Sequence, residues 1–341
     1  LVISNLGACA LFAAMSGSSP ATCAAIGKMG IPEMRKRGYP DEIATGSIAA
    51  GGTLGILIPP SITMIVYGIA TETSIGRLFL AGVVPGFLLM GLFMAWSIYA
   101  TWAAGGRSAM PQTSYSWRER LEILPRVLPF IAIILGVLYT MYGGVATPSE
   151  TAAVGALLCL IVAMIIYRLT SFSALWNVLR DSTKESVMIL FIIAAAGVFS
   201  YMLSSLYITQ SIAEWISDLD VNRWTLMIAI NVFLIIAGFF LPPVAVILMT
   251  APILLPVITG AGFDPIWFAV VLTINMEIGL ISPPVGLNLY VINGIAPDIS
   301  LRTILVGSLP FVACMLIAIA LLCLFPSLAT WLPDAVMGQA L

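Results

Sequence analysis

Four hydroxyl residues, Ser16, Ser18, Ser19 and Thr22, lie within seven positions of one another around Pro20, in the stretch "MSGSSPAT" (15–22). Two other stretches share a pattern: "GGTLGILIPPS" (51–61) and "MEIGLISPPVG" (276–286) each place a glycine four residues ahead of a Pro-Pro pair in apolar sequence. Proline inside a helix removes a backbone hydrogen bond and clashes with the preceding turn, at roughly 3 kcal/mol. Glycine adds about 1 kcal/mol more relative to alanine. A helix broken this way frees carbonyl oxygens at one half-helix end and N–H groups at the other. Carbonyl and hydroxyl oxygens are hard ligands suited to an alkali cation, and free helix-start N–H groups suit an anion. Gly51, Gly52, Thr53 and Gly55 open the first break, and Gly279, Ser282 and Asn288 attend the second. The competing reading of each hydroxyl is a bond back to its own helix or a neighbour.

Glu277 is the one carboxylate deep in an apolar segment. An acid at that depth is a functional candidate. It could neutralise a cation or relay a proton, or it could simply face a water-filled vestibule or a helix end. Proton coupling usually uses several titratable groups, and the chain has no His and no second deep acid, which favours sodium as the coupling ion. Glu150, in "ATPSETAAVG", reads instead as a helix cap after Thr147 and Ser149. A Ser-His-Asp arrangement is impossible without His, and no P-loop is present. Lys28 near "GSSP" serves orientation better than a serine-lysine pair, so no enzyme reading survives. Cys9, Cys23, Cys159, Cys314 and Cys323 stand singly in apolar sequence, as small core residues do.

The elements that must hold these residues are membrane helices. Hydrophobic residues make up 60% of the chain and charged ones 9%, against about 25% charged in a soluble domain. Residues 1–27, 43–71, 78–106, 186–213, 224–263 and 303–333 are free of Asp, Glu, Lys and Arg. Each exceeds the ~20 residues that span a bilayer. The fold class is all-α and polytopic, and the alternating short segments of a β-barrel are absent from the pattern. Nothing basic and aromatic points to nucleic acid. The chain opens at Leu1 inside an apolar segment without a basic n-region, so no signal peptide is read and a preceding N-terminal portion is expected.

Placing the basic clusters on the cytoplasmic side threads the chain coherently, with twelve Lys/Arg inside and only Arg77 and Arg223 outside. Residues 41–71, 78–104, 127–146, 150–167 and 186–207 then cross in turn, with amphipathic surface helices at 170–185 and 208–223. Residues 224–263, interrupted at Leu241-Pro242-Pro243, read as a re-entrant hairpin from outside, and 1–36 as a matching hairpin from inside. An offset of 224 pairs Pro32 with Pro256, Gly38 with Gly262, Gly55 with Gly279 and Pro59-Pro60 with Pro283-Pro284. Each repeat is a hairpin, a turn, a broken helix and a full helix. The first repeat is 1–106 (hairpin 1–36, broken helix 41–71, helix 78–104) and the second 224–325 (hairpin 224–263, broken helix 265–296, helix 303–325). Residues 107–223 supply scaffold and surface helices, and 326–341 a C-terminal tail. Inverted repeats with discontinuous helices indicate a secondary transporter. A channel lined by the same hairpins is the reading from another class, but channels repeat a filter around an axis.

"SGSSPATCAAIG", "GYPDEIATGSIAAGGTLG", "GGTLGILIPPSI", "ATPSETAAVGA" and "GLISPPVGLNLYV" resemble, in order and almost end to end, the large membrane subunit (DctM-type permease) of tripartite ATP-independent periplasmic (TRAP) transporters. The resemblance implies an elevator mechanism and sodium-driven uptake of an organic acid, commonly a carboxylate, across a bacterial inner membrane. It implies two partners, a small four-helix membrane subunit and a periplasmic substrate-binding protein. It also implies that Gly17, Ser18 and Ser19 with Gly52, Thr53 and Gly55 form one sodium site. Leu241 and Pro242 with Glu277, Gly279 and Ser282 would form its inverted counterpart, and Ser19, Thr22, Pro60, Pro284 and Asn288 would face the substrate. Many members carry an acid where this chain has Pro242, so the second ion site would here use backbone carbonyls or Glu277. A single-component sodium–carboxylate symporter of similar fold is the nearest rival.

Overall fold

A computed structural model describes residues 1–103, 117–143, 145–166, 168–169, 171–208, 211 and 221–338. Every regular element among them is helical. Two compact units are present: Leu1–Pro111 with Val198–Leu341, and Gln112–Gly197.

The larger unit opens with a hairpin, α1 (Val2–Ser16) and α2 (Ser19–Lys36). The chain reverses because Gly17 takes φ +59°, a left-handed conformation natural to glycine, and its N–H closes α1 onto the Ala13 carbonyl. Ser18 is extended, and Pro20 sits in the first turn of α2, where its missing N–H costs nothing. The first broken helix follows as α3 (Asp41–Thr53), one 3-10 turn (Leu54–Ile56), an irregular stretch with a cis Pro59-Pro60 bond, and α4 (Ile62–Thr71). The full helix α5 (Ile75–Ala103) completes the repeat.

The second repeat, in the same unit, has the same parts. Its hairpin is α9 (Arg223–Phe240) and α10 (Pro243–Gly260), and a shift of 224 carries Ser19–Lys36 onto Pro243–Gly260 end to end. The hairpin tip is made differently. Each residue before a proline is pushed out of the helical region, and Leu241 and Pro242 are both extended, with ψ 145° and 149°. The second broken helix is α11 (Pro265–Leu280) and α12 (Leu287–Ile295), again with a cis Pro-Pro bond at 283–284, and α13 (Leu301–Leu324) is the full helix.

The repeats pack across one another. The second hairpin arm α2 lies on α12, the far half of the other repeat's broken helix, and α10 lies likewise on α4. Each full helix packs on the near half of the other's broken helix, α13 on α3 and α5 on α11. The α3–α13 crossing is backbone against backbone, because a Cβ on Gly46 would strike the Gly307 carbonyl and one on Gly307 the Glu42 carbonyl. At the polar end, Arg35 of α2 pairs with Asp41 (3.0 Å) and with Asp298 (2.5 Å), joining the two repeats. The guanidinium holds the Asp298 carboxyl below its ordinary range.

The smaller unit contains α6 (Trp117–Tyr142) packed on α7 (Pro148–Ile166). The Glu150 carboxylate accepts from the Thr147 N–H and hydroxyl, both at 2.8 Å, which is the cap expected from the sequence.

Two expectations need correction. The surface helix expected at 170–185 is, within its described residues, the first part of one helix, α8 (Phe172–Ser205), which continues through the expected span. No proline or glycine interrupts 182–190, so nothing there stops propagation. The C-terminal tail contains a helix, α14 (Ser327–Met337), which packs on α5 and is fixed by an ion pair between Arg77 and Asp334. Most of the surface helix expected at 208–223 lies outside the described residues, as do 104–116 with Arg107.

The glycine crossing yields a prediction. Gly307→Ala should lower the stability of the detergent-solubilised protein by about 1–3 kcal/mol through overpacking. Gly91→Ala, in α5 with open space around it, should be neutral or raise stability by up to roughly 1 kcal/mol. Thermal unfolding of the two variants measures the contrast.

Candidate ion and substrate site

The tip of the first hairpin sits against the break of the first broken helix. A Cβ on Gly55 would lie 2.7 Å from the Ser18 carbonyl oxygen and 2.9 Å from Thr22 Oγ1, and one on Gly17 would lie 2.8 Å from the Pro60 oxygen. Only glycine permits this approach on either side. The Ser18 carbonyl accepts from the Thr22 N–H (3.1 Å) and hydroxyl (2.8 Å) and from Ser16 Oγ (3.3 Å). Ser18 begins α2, but its hydroxyl does not cap the helix. Thr53 is fully buried, and its hydroxyl donates to the Ala50 carbonyl at 2.7 Å. Gly52 lies against Cys23. Several hydroxyls thus do bond back to nearby backbone, the competing reading of the sequence. A hydroxyl that has donated its proton still holds oxygen lone pairs, so Thr22 and Thr53 keep their capacity as cation ligands.

The second repeat contributes to this same place. Asn288, in the first turn of α12, donates through Nδ2 to Ser19 Oγ (2.8 Å) and to the Ala49 carbonyl (3.2 Å). Ser19 and Asn288 are fully buried, and Asn288 Oδ1 has no hydrogen-bond partner. Ser19, Thr22 and Asn288 therefore come together with the first break. Pro60 is half-buried beside them, whereas Pro284 is exposed.

The second tip and break meet at a different level. Gly238, three residues before the tip, packs on Gly279, and a Cβ on Gly279 would strike the Gly238 backbone. Leu241 and Pro242 are exposed. Glu277 is fully buried, and neither carboxylate oxygen has a hydrogen-bond partner. An ionised carboxyl in such a place asks for a cation beside it. Ser282 is buried at the break.

Two functional candidates escaped the sequence reading. Asn275, fully buried, donates to Asn231 Oδ1 (2.6 Å) and to the Val271 carbonyl (2.9 Å), with its own Oδ1 unpartnered. Amides in an otherwise uncharged segment were the available signal. Ser61 Oγ donates to the Ile56 carbonyl (2.5 Å) and accepts from the Met64 N–H (3.2 Å), capping α4.

Asp264 caps α11 and Ser300 caps α13. Ser61 caps α4 at the first break, whereas α2 and α10, which start at the hairpin tips, and α12, which starts at the second break, have no side-chain cap, as is also true of α1, α3 and α14. The first N–H groups and positive dipole ends of α2, α10 and α12 are left for a ligand.

Apolar helices broken opposite two hairpin tips, with buried uncharged oxygens and uncapped helix starts at the tips and the second break, define a polytopic membrane protein of the secondary-transporter class. Six helices are long and apolar enough to cross a bilayer, among the described residues. The chain belongs to the tripartite ATP-independent periplasmic transporter family, DctM component, whose profile matches residues 2–328. It is 42% identical to the C4-dicarboxylate TRAP transporter large permease protein DctM of Pseudomonas aeruginosa, over 98% of this chain and 77% of that one. The protein of the same description in Vibrio cholerae is 38% identical over 99% of this chain and 78% of its own length. The structure of the Alcanivorax borkumensis YdaH transporter shares the fold, with a TM-score of 0.64 at 15% identity, covering 97% of this chain and 80% of that one.

The tip–break contact is testable. Gly55→Ala should destabilise the protein by about 1–3 kcal/mol and depress transport beyond its effect on protein amount. Uptake per folded molecule, measured alongside thermal unfolding, separates the two effects.

Proposed function

We propose that this large permease subunit carries a small organic acid of the carboxylate class into the cell, coupled to sodium. The acid would be delivered by a periplasmic binding protein, and a small four-helix membrane subunit would be the partner within the inner membrane. The observation that supports the reading is the set of uncapped helix starts at the two hairpin tips, α2 and α10, and at the second break, α12, together with the unpartnered buried oxygens of Glu277 and Asn288. The names of the two permease relatives support a C4 dicarboxylate as the first substrate to try.

The chemistry follows from the two kinds of unsatisfied group. A carboxylate at a helix start accepts from N–H groups that would otherwise have no partner. A sodium ion beside it would take carbonyl and hydroxyl oxygens around Gly17, Ser18, Thr22, Thr53 and Gly55. A second ion would take Glu277 with backbone carbonyls near Leu241, Pro242, Gly279 and Ser282. Binding the ions offsets the charge of the acid and of Glu277, so the loaded site presents less net charge to the apolar surroundings. The hairpins and broken helices then travel together across the bilayer, the elevator motion, and the inverted repeats let one site open to either side.

The complete membrane complex in proteoliposomes, supplied with saturated binding protein and a panel of carboxylates, tests the proposal. Uptake is expected to require an inward sodium gradient and the binding protein together. Sodium-dependent uptake without the binding protein would establish a single-component symporter instead, and uptake driven by protons without sodium would overturn the ion assignment. In the same assay, Glu277→Gln should raise the half-saturating sodium concentration about tenfold, equivalent to ~1.4 kcal/mol. An unchanged sodium dependence would remove Glu277 from the ion site.

A further inference from the structure

Asn288 has a polarity that a contact with an anionic substrate does not use. Both of its Nδ2 bonds are to protein acceptors, Ser19 Oγ at 2.8 Å and the Ala49 carbonyl at 3.2 Å. A main-chain carbonyl only accepts, so the bond to Ala49 fixes which end of the amide is nitrogen. The end left over is Oδ1, an acceptor that is buried and unpartnered. An acceptor in that state is destabilising until a donor or a cation meets it. A carboxylate offers neither, and its negative charge is repelled by the amide oxygen.

We propose that Asn288 Oδ1 is a ligand of the coupling cation, and that this ion binds where the first hairpin tip meets the second broken helix. The proposal rests on the sodium-coupled reading above and moves Asn288 from the substrate to the ion. Amide oxygen is a hard, neutral donor appropriate to an alkali cation. Ser19 belongs to α2, Ala49 to α3 and Asn288 to α12, so the amide already ties one repeat to the other. An ion on Oδ1 would hold the first turn of α12 in place, and α12 is one of the helix starts left bare for the carboxylate. The ion thereby prepares the anion's site, and each should strengthen the binding of the other.

The test uses the full membrane complex in detergent, with sodium chloride titrated against choline chloride at constant ionic strength and no organic acid present. The thermal unfolding midpoint is the readout. Wild type should be stabilised by sodium. Asn288→Ala, which also removes the bonds to Ser19 and Ala49, should lower the midpoint in choline and, in addition, need about tenfold more sodium for half of the stabilisation. Ser19→Ala, which keeps Oδ1 but removes one of its anchors, should show a smaller shift in the same direction, and it stands in if Asn288→Ala does not fold. An unchanged half-stabilising sodium concentration in both variants would overturn the proposal, including the case in which the midpoint is lowered equally at every sodium concentration, the mark of a purely structural amide. Absence of any sodium response in the wild type would instead sink the sodium-coupled reading on which the proposal rests.

Discussion

Inside a bilayer every backbone N–H and C=O must find a partner within the protein, and this chain interrupts two of its apolar helices. Part of the freed backbone is met locally, by bonds from the Leu57 and Ile58 N–H groups to the Leu54 carbonyl, from Ser61 Oγ to the Ile56 carbonyl and from the Ser282 N–H to the Gly279 carbonyl, and a hairpin packs on each break. At the first, glycines on both sides, Gly17 and Gly55, let tip and break touch through their backbones. At the second, Gly238 and Gly279 do the same one turn away from the tip. The cross-packing of α2 on α12 and of α10 on α4 then locks each hairpin to the opposite repeat.

The two halves of the site are alike in plan and different in chemistry. The first tip turns on a left-handed glycine and is closed over by its own hydroxyl bonds. The second turns on prolines, is exposed, and has a buried carboxylate nearby with no donor. The repeats share a plan, while the residues at their tips and breaks differ. Asn288 connects them, since it stands at the second break and bonds to the first tip.

Much of this was legible beforehand, because the signals were local. Charge-free runs, Pro-Pro pairs and the offset of 224 depend on residue types alone, and they located the hairpins, the breaks and the repeat. The grouping of Ser19 and Thr22 with the first break came from the family resemblance rather than from the residues alone. What stayed hidden depended on contacts between distant segments. Gly46 against Gly307 looks like any glycine in a helix until the partner backbone is seen. The direction of the Asn288 amide is set by the Ala49 carbonyl, far away in sequence. The continuity of α8 was missed because charged residues at 180–185 suggested a surface segment, although nothing there stops a helix.

The central claim is that an ion and a carboxylate seat together between the tips and the breaks. Its most direct test is the accessibility of the exposed tip, using Leu241→Cys in the membrane complex with the native cysteines replaced. The account predicts that a membrane-impermeant maleimide labels this position from one side of the membrane at a time, and that sodium and the transported acid together protect it more than either alone. Labelling that is indifferent to both ligands, or that proceeds from both sides at once, would contradict it.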